Sequence, residues 1–261
     1  MTTEAISEHI LYERQGRVAI IRLNRPEKLN AMTLDMDGDW ARAIRKANEE
    51  AEVGAIVVTG NGRGFCAGAD MKERFKRRLE MIETGTQPAA PSGAGWIDLV
   101  RGSKPLIAAV NGVAVGMGLT LILPFDVILA STEASFTLAF VRVGLVPELA
   151  STHYLVSRMG FGKASELMLT GRTIKADEAV AGGLADRLVP HKRLMDEALA
   201  LAEMIAANPA PQLKMTKMLI TQNACETDME AVCAREGEAL EKARRTPEHK
   251  AAIERFTARQ G

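Results

Sequence analysis

The sequence predicts a mixed α/β fold, and three observations carry that prediction. Short apolar runs at 55–59, 106–110 and 127–130 are bounded by glycine, asparagine or polar residues, the pattern of buried strands. Between the run at 18–23 and the run at 55–59, Met36, Trp40, Ile44 and Ala47 recur at helical spacing. From Leu194 the pattern is helical almost throughout, broken at Pro209 and Pro211. Alternating strands and helices imply layers of helix on sheet. The expected division is a mixed core over 1–195 and a helical region over 196–261.

The elements follow in order. Val18 to Leu23 is a strand, ended by Asn24-Arg25-Pro26. Thr33 is an N-cap, with Asp35 in the first turn where a negative charge favours the helix dipole. The helix runs to about residue 52, and the strand at 55–59 follows. Residues 72–78 are strongly charged and 84–95 are rich in Pro, Gly, Ala, Ser and Thr, which predicts a charged helix and then a loop. That stretch is either a solvated linker or a lid. Helices are expected at 151–159, stopped by Gly160, at 163–170, closed by Gly171, and at 177–181, ended by Gly182-Gly183. Thr227-x-x-Glu230 has the form of a capping box, followed by Met229, Val232, Cys233, Leu240 and Ala243 on one face. Thr246-Pro247 opens a last helix with a cap and a proline at its first position.

Composition excludes several classes of function. Lys+Arg and Asp+Glu both number 33 in 261 residues, so the zero net charge gives no electrostatic footprint for nucleic acid or a membrane surface. No stretch approaches the ~18 apolar residues of a membrane span. Residues 1–13 carry no signal-peptide core, and Cys66, Cys225 and Cys233 cannot all pair with one another. A cytoplasmic protein with free thiols is expected. Cys225 and Cys233 have no clustered histidines beside them, so no metal site is expected. Gly116-x-Gly118 lacks the third glycine of a dinucleotide fingerprint, and there is no Walker A pattern and no Gly-x-Ser-x-Gly elbow.

Two glycine-rich loops concentrate the chemistry. After the strand at 106–110, Asn111-Gly112 turns the chain and Gly116-Met117-Gly118 opens an apolar helix that stops before Pro124. Its first backbone N–H groups are free for an anion, including an oxygen that becomes negative only during a reaction. After the strand at 55–59, Ala67-Gly68-Ala69 lets a ligand approach the main chain closely. One N–H from each loop can serve a single oxygen.

Phe65-Cys66-Ala67-Gly68-Ala69-Asp70, the run Ala108 to Gly118, and Asn24-Arg25-Pro26-Glu27-Lys28-Leu29-Asn30-Ala31-Met32 together resemble the enoyl-CoA hydratase/isomerase, or crotonase, superfamily. The likeness extends from about Val18 to about Phe256. It implies a spiral of ββα units with a helical C-terminal trimerisation region, and an acyl-CoA thioester held for reaction through its enolate. It implies no cofactor beyond the coenzyme A of the substrate, and a homotrimer or dimer of trimers. Ala67 and Met117 match the family's oxyanion hole. Lys28, Leu29 and Ala31 match its adenine and pantetheine contacts, continued by Ala67, Gly68, Ala69 and Asp70. Phe256 and Arg259 align with an aromatic and a basic residue that reach coenzyme A, with core packing as the other role for Phe256. Asp70 either touches ligand or holds its loop.

One departure from the family pattern bears on the reaction. The two glutamates of its hydratases align with Thr120 and Phe140, neither acidic. Gly144-Leu145-Val146-Pro147-Glu148 instead resembles the Δ3-Δ2-enoyl-CoA isomerase branch, where one acid follows this proline. One carboxylate lying over C2 and C4 can remove a proton from the first and return one to the second. Leu119, Phe136, Phe140 and Leu145 are expected to desolvate Glu148. The leading expectation is an isomerase using Glu148. The alternatives are a hydratase or other crotonase reaction with unusual acids, and a non-catalytic CoA-binding or scaffold protein. His153 is read as a plain helix residue and Cys66 as packing.

Overall fold

The large sheet is laid down almost in chain order. In the computed structural model, which describes residues 3–85 and 93–257, the strands are β1 (Thr3–Ser7), β2 (Ile10–Gln15), β3 (Val18–Leu23), β4 (Ala55–Gly60), β5 (Gly64–Cys66), β6 (Leu106–Val110), β7 (Val113–Val115), β8 (Val127–Ser131), β9 (Ser135–Thr137), β10 (Thr173–Lys175) and β11 (Arg187–Val189). Among the described residues they form a seven-stranded sheet, β1-β2-β3-β4-β6-β8-β11, and a four-stranded sheet, β10-β9-β7-β5. The first three strands of the large sheet are antiparallel neighbours and the rest pair in parallel.

Alternation along these strands builds two cores. Ala19, Ile21, Ile56, Val58, Ala108, Val110 and Ile128 face one side, with the small sheet and Trp40 and Ile44 packed over them. Val18, Ile20, Ala55, Val57, Ile107, Ala109 and Leu129 face the other. Strands buried on both faces read as continuous apolar runs, which is why 55–59 and 106–110 stand out in the sequence.

The helices are α1 (Leu34–Glu49), α2 (Lys76–Glu83), α3 (Gly93–Gly102), α4 (Met117–Thr120), α5 (Ser151–Met159), α6 (Phe161–Thr170), α7 (Ala176–Ala181), α8 (Leu194–Ala206), α9 (Ala210–Asn223), α10 (Met229–Arg244) and α11 (Pro247–Thr257). Thr33 caps α1, its hydroxyl accepting from Met36 N–H at 3.2 Å. Gly160 follows α5, and Gly171 ends α6 in the left-handed region at φ 62°. Thr246 caps α11, accepting from His249 N–H at 3.2 Å. On α8, Leu194, Ala198, Ala202 and Ala206 form one stripe that covers the second face of the large sheet. The fit is close: a Cβ placed on Gly54 would lie 2.7 Å from Ala206 Cβ.

Several expectations are corrected. The hairpin β1–β2 precedes the first expected strand. The loop expected over 84–95 is cut short by α3, which begins at Gly93. Helix α1 ends at Glu49, three residues early. The cap of α10 is Asp228, not Thr227: its carboxylate accepts from Glu230 N–H and Ala231 N–H, so the cap falls one residue later than the capping-box spacing. After α7 the left-handed residue is Gly183, at φ 84°, while Gly182 stays right-handed. Residues 71–75 form a π-helical turn before α2. Leu240, expected on an apolar face of α10, is exposed.

Candidate active site

Strands β5 and β7 pair in parallel, Gly64 opposite Val113 and Cys66 opposite Ala114. Parallel neighbours end at the same edge. The loop at 67–70 and the turn at 116–118 are therefore delivered side by side. Three glycines permit the contact. Gly116 turns the chain at φ 50°, ψ −118°, and Gly68 has φ 91°. A Cβ on Gly68 would lie 2.6 Å from Val115 O and 3.8 Å from Met117 N, and one on Gly118 would lie 2.4 Å from Cys66 O.

Two buried amide side chains brace the preceding loop. Asn111 Oδ1 accepts from Gly60 N–H at 3.1 Å while its Nδ2 donates to Gly62 O at 2.9 Å. Asn30 Nδ2 donates to Asn61 O at 3.0 Å and Gly64 O at 2.9 Å.

The main-chain amides of the 67–70 loop have distinct partners. Ala67 N–H donates to Leu29 O at 2.9 Å, so it is engaged and does not face a ligand. Met32 N–H donates to Gly68 O at 2.7 Å, and Asp70 N–H donates to Met32 O at 2.9 Å. This is a parallel bridge between Met32 and Ala69. In such a bridge the N–H of the central residue points away from its partner. Ala69 N–H therefore turns from Met32. Among the described residues, neither Ala69 N–H nor Met117 N–H donates to another main-chain group. The expectation for Ala67 is thus corrected: its N–H is taken by Leu29 O, and Ala69 and Met117 are the amides of these two loops left without a main-chain acceptor. The signal was the alternation of amide directions in an extended segment after Gly68, which residue types do not display.

The other expected ligand residues gather on the same side. Residues 26–28 form a 3₁₀ turn, and Leu29 and Asn30 follow in the left-handed region at φ 51° and 56°. The turn places Leu29 against β5 and exposes Lys28. Arg25 Nη1 donates to Ala31 O at 3.1 Å and to Asp70 Oδ2 at 2.7 Å. Asp70 also caps the following turn, accepting from Lys72 N–H at 3.0 Å and Glu73 N–H at 3.2 Å. The Arg25 hydrogen bond and these amides hold its carboxyl below the usual carboxylate range. Asp70 therefore holds its loop. Arg25, which ties the 25–31 turn to that loop, was not singled out from sequence. The side chain of Phe256, within α11, and all of Arg259 lie outside the described residues.

Thr120 is fully buried and Phe140 is 9% exposed. The Phe140 ring lies 4.0 Å from where a Cβ of Gly116 would stand. Apolar and hydroxyl groups thus fill the two positions where an acid was absent from the sequence. Glu148 is half-buried and its carbonyl accepts from Ser151 N–H at 3.0 Å, just before α5. Leu149 and Ala150 after it both adopt positive φ, 55° and 52°. Two consecutive non-glycine residues in this region are strained, a condition concentrated at functional sites. Of the expected lining, Leu119, Phe136 and Phe140 are buried, but Leu145 is 42% exposed. Cys66 is fully buried, and burial pushes its thiol up to about 12, which leaves it inert. His153 is exposed on α5, its Nε2 3.5 Å from Cys225 Sγ. Among the described residues, no cluster of three or more His, Cys, Asp or Glu can hold a metal ion.

The profile of the family described as enoyl-CoA hydratase/isomerase matches residues 13–260. The chain belongs to this family.

Similar proteins include the short-chain-enoyl-CoA hydratase of Clostridium acetobutylicum, 32% identical over 95% of this chain and 94% of that one. The mitochondrial enoyl-CoA hydratase of Pongo abelii is 35% identical over 77% of this chain and 69% of its own. Among solved structures, the enoyl-CoA hydratase from Bacillus anthracis superposes with a TM-score of 0.87 at 30% identity, covering 96% of each chain. The match confirms the crotonase-type α/β fold with its helical C-terminal region. In this enoyl-CoA hydratase/isomerase family member, the two loops that carry the family signature are the ones β5 and β7 bring to a common edge.

Proposed function

We propose that the chain binds an acyl-CoA thioester, stabilises its enolate with the N–H groups of Ala69 and Met117, and isomerises a 3-enoyl-CoA to the 2-enoyl-CoA with Glu148. The supporting observation is the occupancy of the acid positions: Thr120 and Phe140 are buried and carry no carboxyl, whereas Glu148 is half-buried in a strained turn. The carboxylate of Glu148 takes the proton from C2, and the electron pair passes into the thioester carbonyl. The developing oxyanion is held by two amides, each worth about 2.7–4 kcal/mol in such sites. The protonated acid then delivers its proton to C4 as the double bond forms between C2 and C3. Lys28, Leu29 and Ala31 hold the coenzyme A portion, joined by Phe256 and Arg259 from the C-terminal end. No cofactor beyond the substrate's own coenzyme A takes part.

The names of the relatives favour a second reading, hydration of a 2-enoyl-CoA. Supplying purified protein with 3-hexenoyl-CoA and with 2-hexenoyl-CoA separates the two by product. The isomerase reading expects 2-hexenoyl-CoA from the first, and Glu148→Gln lowering kcat by about 10²–10⁴ with little change in KM. A 3-hydroxyacyl-CoA product with wild-type rates in Glu148→Gln favours the hydratase. Coenzyme A binding without turnover of either substrate favours a scaffold.

The C-terminal helices support a proposed homotrimer or dimer of trimers. Met204, Ile220, Met229, Leu240 and Ile253 are each at least half exposed in the single chain. Light scattering of the purified protein tests this. Cys66, Cys225 and Cys233 are free thiols, which supports the proposed cytoplasmic location. No helix among the described residues is long and apolar enough to cross a membrane.

A further inference from the structure

The turn that follows α4, residues 121–125, is held by side chains from two other helices. Trp96 Nε1, on α3, donates to Leu121 O at 2.9 Å, and Arg101 Nη1, also on α3, donates to Pro124 O at 2.8 Å. Arg158, on α5, supplies two bonds at once: Nε to Leu123 O at 3.0 Å and Nη2 to Phe125 O at 2.7 Å. Its side chain is 15% exposed, and Nη1 approaches Asp186 Oδ2 at 3.4 Å. Asp186 is fixed in turn by the N–H of Ile128 at 2.7 Å.

Arg158 differs from its companions in where its helix begins. Helix α5 starts at Ser151, whose N–H is bonded to Glu148 O. Helix α4 starts at Met117. One side chain therefore joins the helix that follows the acid to the turn that leads out of the helix bearing the Met117 N–H. We propose that Arg158 is a positioning residue that locks α5 to the 121–125 turn after α4 and so sets the distance between the Glu148 carboxylate and the Met117 N–H. The proposal rests on the reading of the site given above. The geometry needs a planar fork with two donors at fixed separation, which lysine does not have although it keeps the charge. A misplacement of about 1 Å between reacting groups costs about 10²-fold in rate. Arg158 has that leverage because it bonds two carbonyls, Leu123 O and Phe125 O, of the turn that leads out of α4.

The test uses the full chain and the variants Arg158→Lys and Arg158→Met, alone and combined with Glu148→Gln. On 3-hexenoyl-CoA, both single variants are expected to lose kcat by about 10- to 100-fold while KM stays within about threefold. In the Glu148→Gln background, Arg158→Lys is expected to cost almost nothing more, because the acid it positions is already gone. Wild-type kcat in Arg158→Lys, or an equal loss in both backgrounds, overturns the proposal. Amide hydrogen exchange gives a readout independent of the chemistry. Segments 117–125 and 145–151 are expected to lose protection together in Arg158→Lys, and unchanged protection in either one overturns the link. If Glu148→Gln alone is fully active, the reading of the site falls, and the exchange experiment still decides the role of Arg158.

Discussion

Gly118 packs on the main chain of Cys66 so closely that a single added methyl group would stand 2.4 Å from the Cys66 carbonyl oxygen and 2.8 Å from its Sγ. The neighbouring atoms are backbone and a fully buried side chain, so they cannot swing aside. Gly118→Ala must instead push the 116–118 turn off the 67–70 loop and part the Ala69 and Met117 amides proposed as donors. Overpacking of this kind costs about 1–3 kcal/mol. On the proposed reading the loss of activity is larger, about 10²-fold in kcat, because the two amides can then no longer serve one oxygen. Comparing the urea midpoint with kcat for Gly118→Ala checks both.

Ala150 carries the opposite defect, a side chain where glycine would be at ease. Its φ is 52° and ψ 21°. An L-residue gives up about 1–2 kcal/mol there. Ala150→Gly relieves that strain but loosens the unfolded chain by about 0.4–1 kcal/mol. A net gain of up to about 1 kcal/mol in stability is expected, together with a fall in kcat of a few-fold as the segment bearing Glu148 gains freedom. A thermal melt and a rate on the same preparation test the trade.

Lys217 predicts a pH dependence of stability. The residue is 4% exposed, and its ammonium bonds Asp126 Oδ2 at 2.8 Å and Ser103 Oγ at 3.2 Å. Burial lowers its pKa from 10.5 to about 8, against the attraction of Asp126. Between about 8 and 10.5 the unfolded chain keeps a proton that the folded chain has released. Stability from this group therefore rises with pH across that window. The difference in urea midpoint between wild type and Lys217→Met is expected to shift in favour of wild type from pH 7.5 to pH 9.5.

Asp70 predicts a dependence of the same sign at the acid end. Arg25 holds its carboxyl below the ordinary value of 3.8. The folded state then binds fewer protons than the unfolded one as pH falls, so the stabilisation is present above that value and lost beneath it. Asp70→Asn is expected to be less stable than wild type at neutral pH and to approach it once the wild-type Asp70 carboxyl is protonated. Acid titration followed by circular dichroism checks the convergence.

How far the sequence reached depended on whether a feature was carried by residue type or by register. Strands buried on both faces, the Thr33 cap and the glycines after α5 and α6 are properties of residue type, and they were legible. So were the absences at Thr120 and Phe140. The start of α3 at Gly93 was hidden, because Gly93-Ala94-Gly95 looks like loop and only Trp96, Leu99 and Val100, packed on the core, make it a helix. The identity of the donor amide was hidden as well. Whether Ala67 or Ala69 turns its N–H outward is decided by the bridge to Met32, and both residues are alanine. The Asp228 cap was missed by one position for a similar reason: Thr227 and Asp228 are both capping residues, and only the hydrogen bonds choose between them. Arg158 gave no sign at all, since its acceptors are carbonyls that every residue possesses.

Helix α8 has a consequence for how the protein is made. All the strands of the large sheet are encoded before Leu194, yet the face of β3, β4, β6 and β8 that carries Val18, Ile20, Val57 and Ile107 packs, among the described residues, against the Leu194–Ala206 stripe. On the ribosome, the emerging sheet must wait with Val18, Ile20, Val57 and Ile107 in contact with water. Chaperone capture is then expected to be heaviest on nascent chains of this intermediate length, and translation products cut short of α8 are expected to clump rather than remain dispersed.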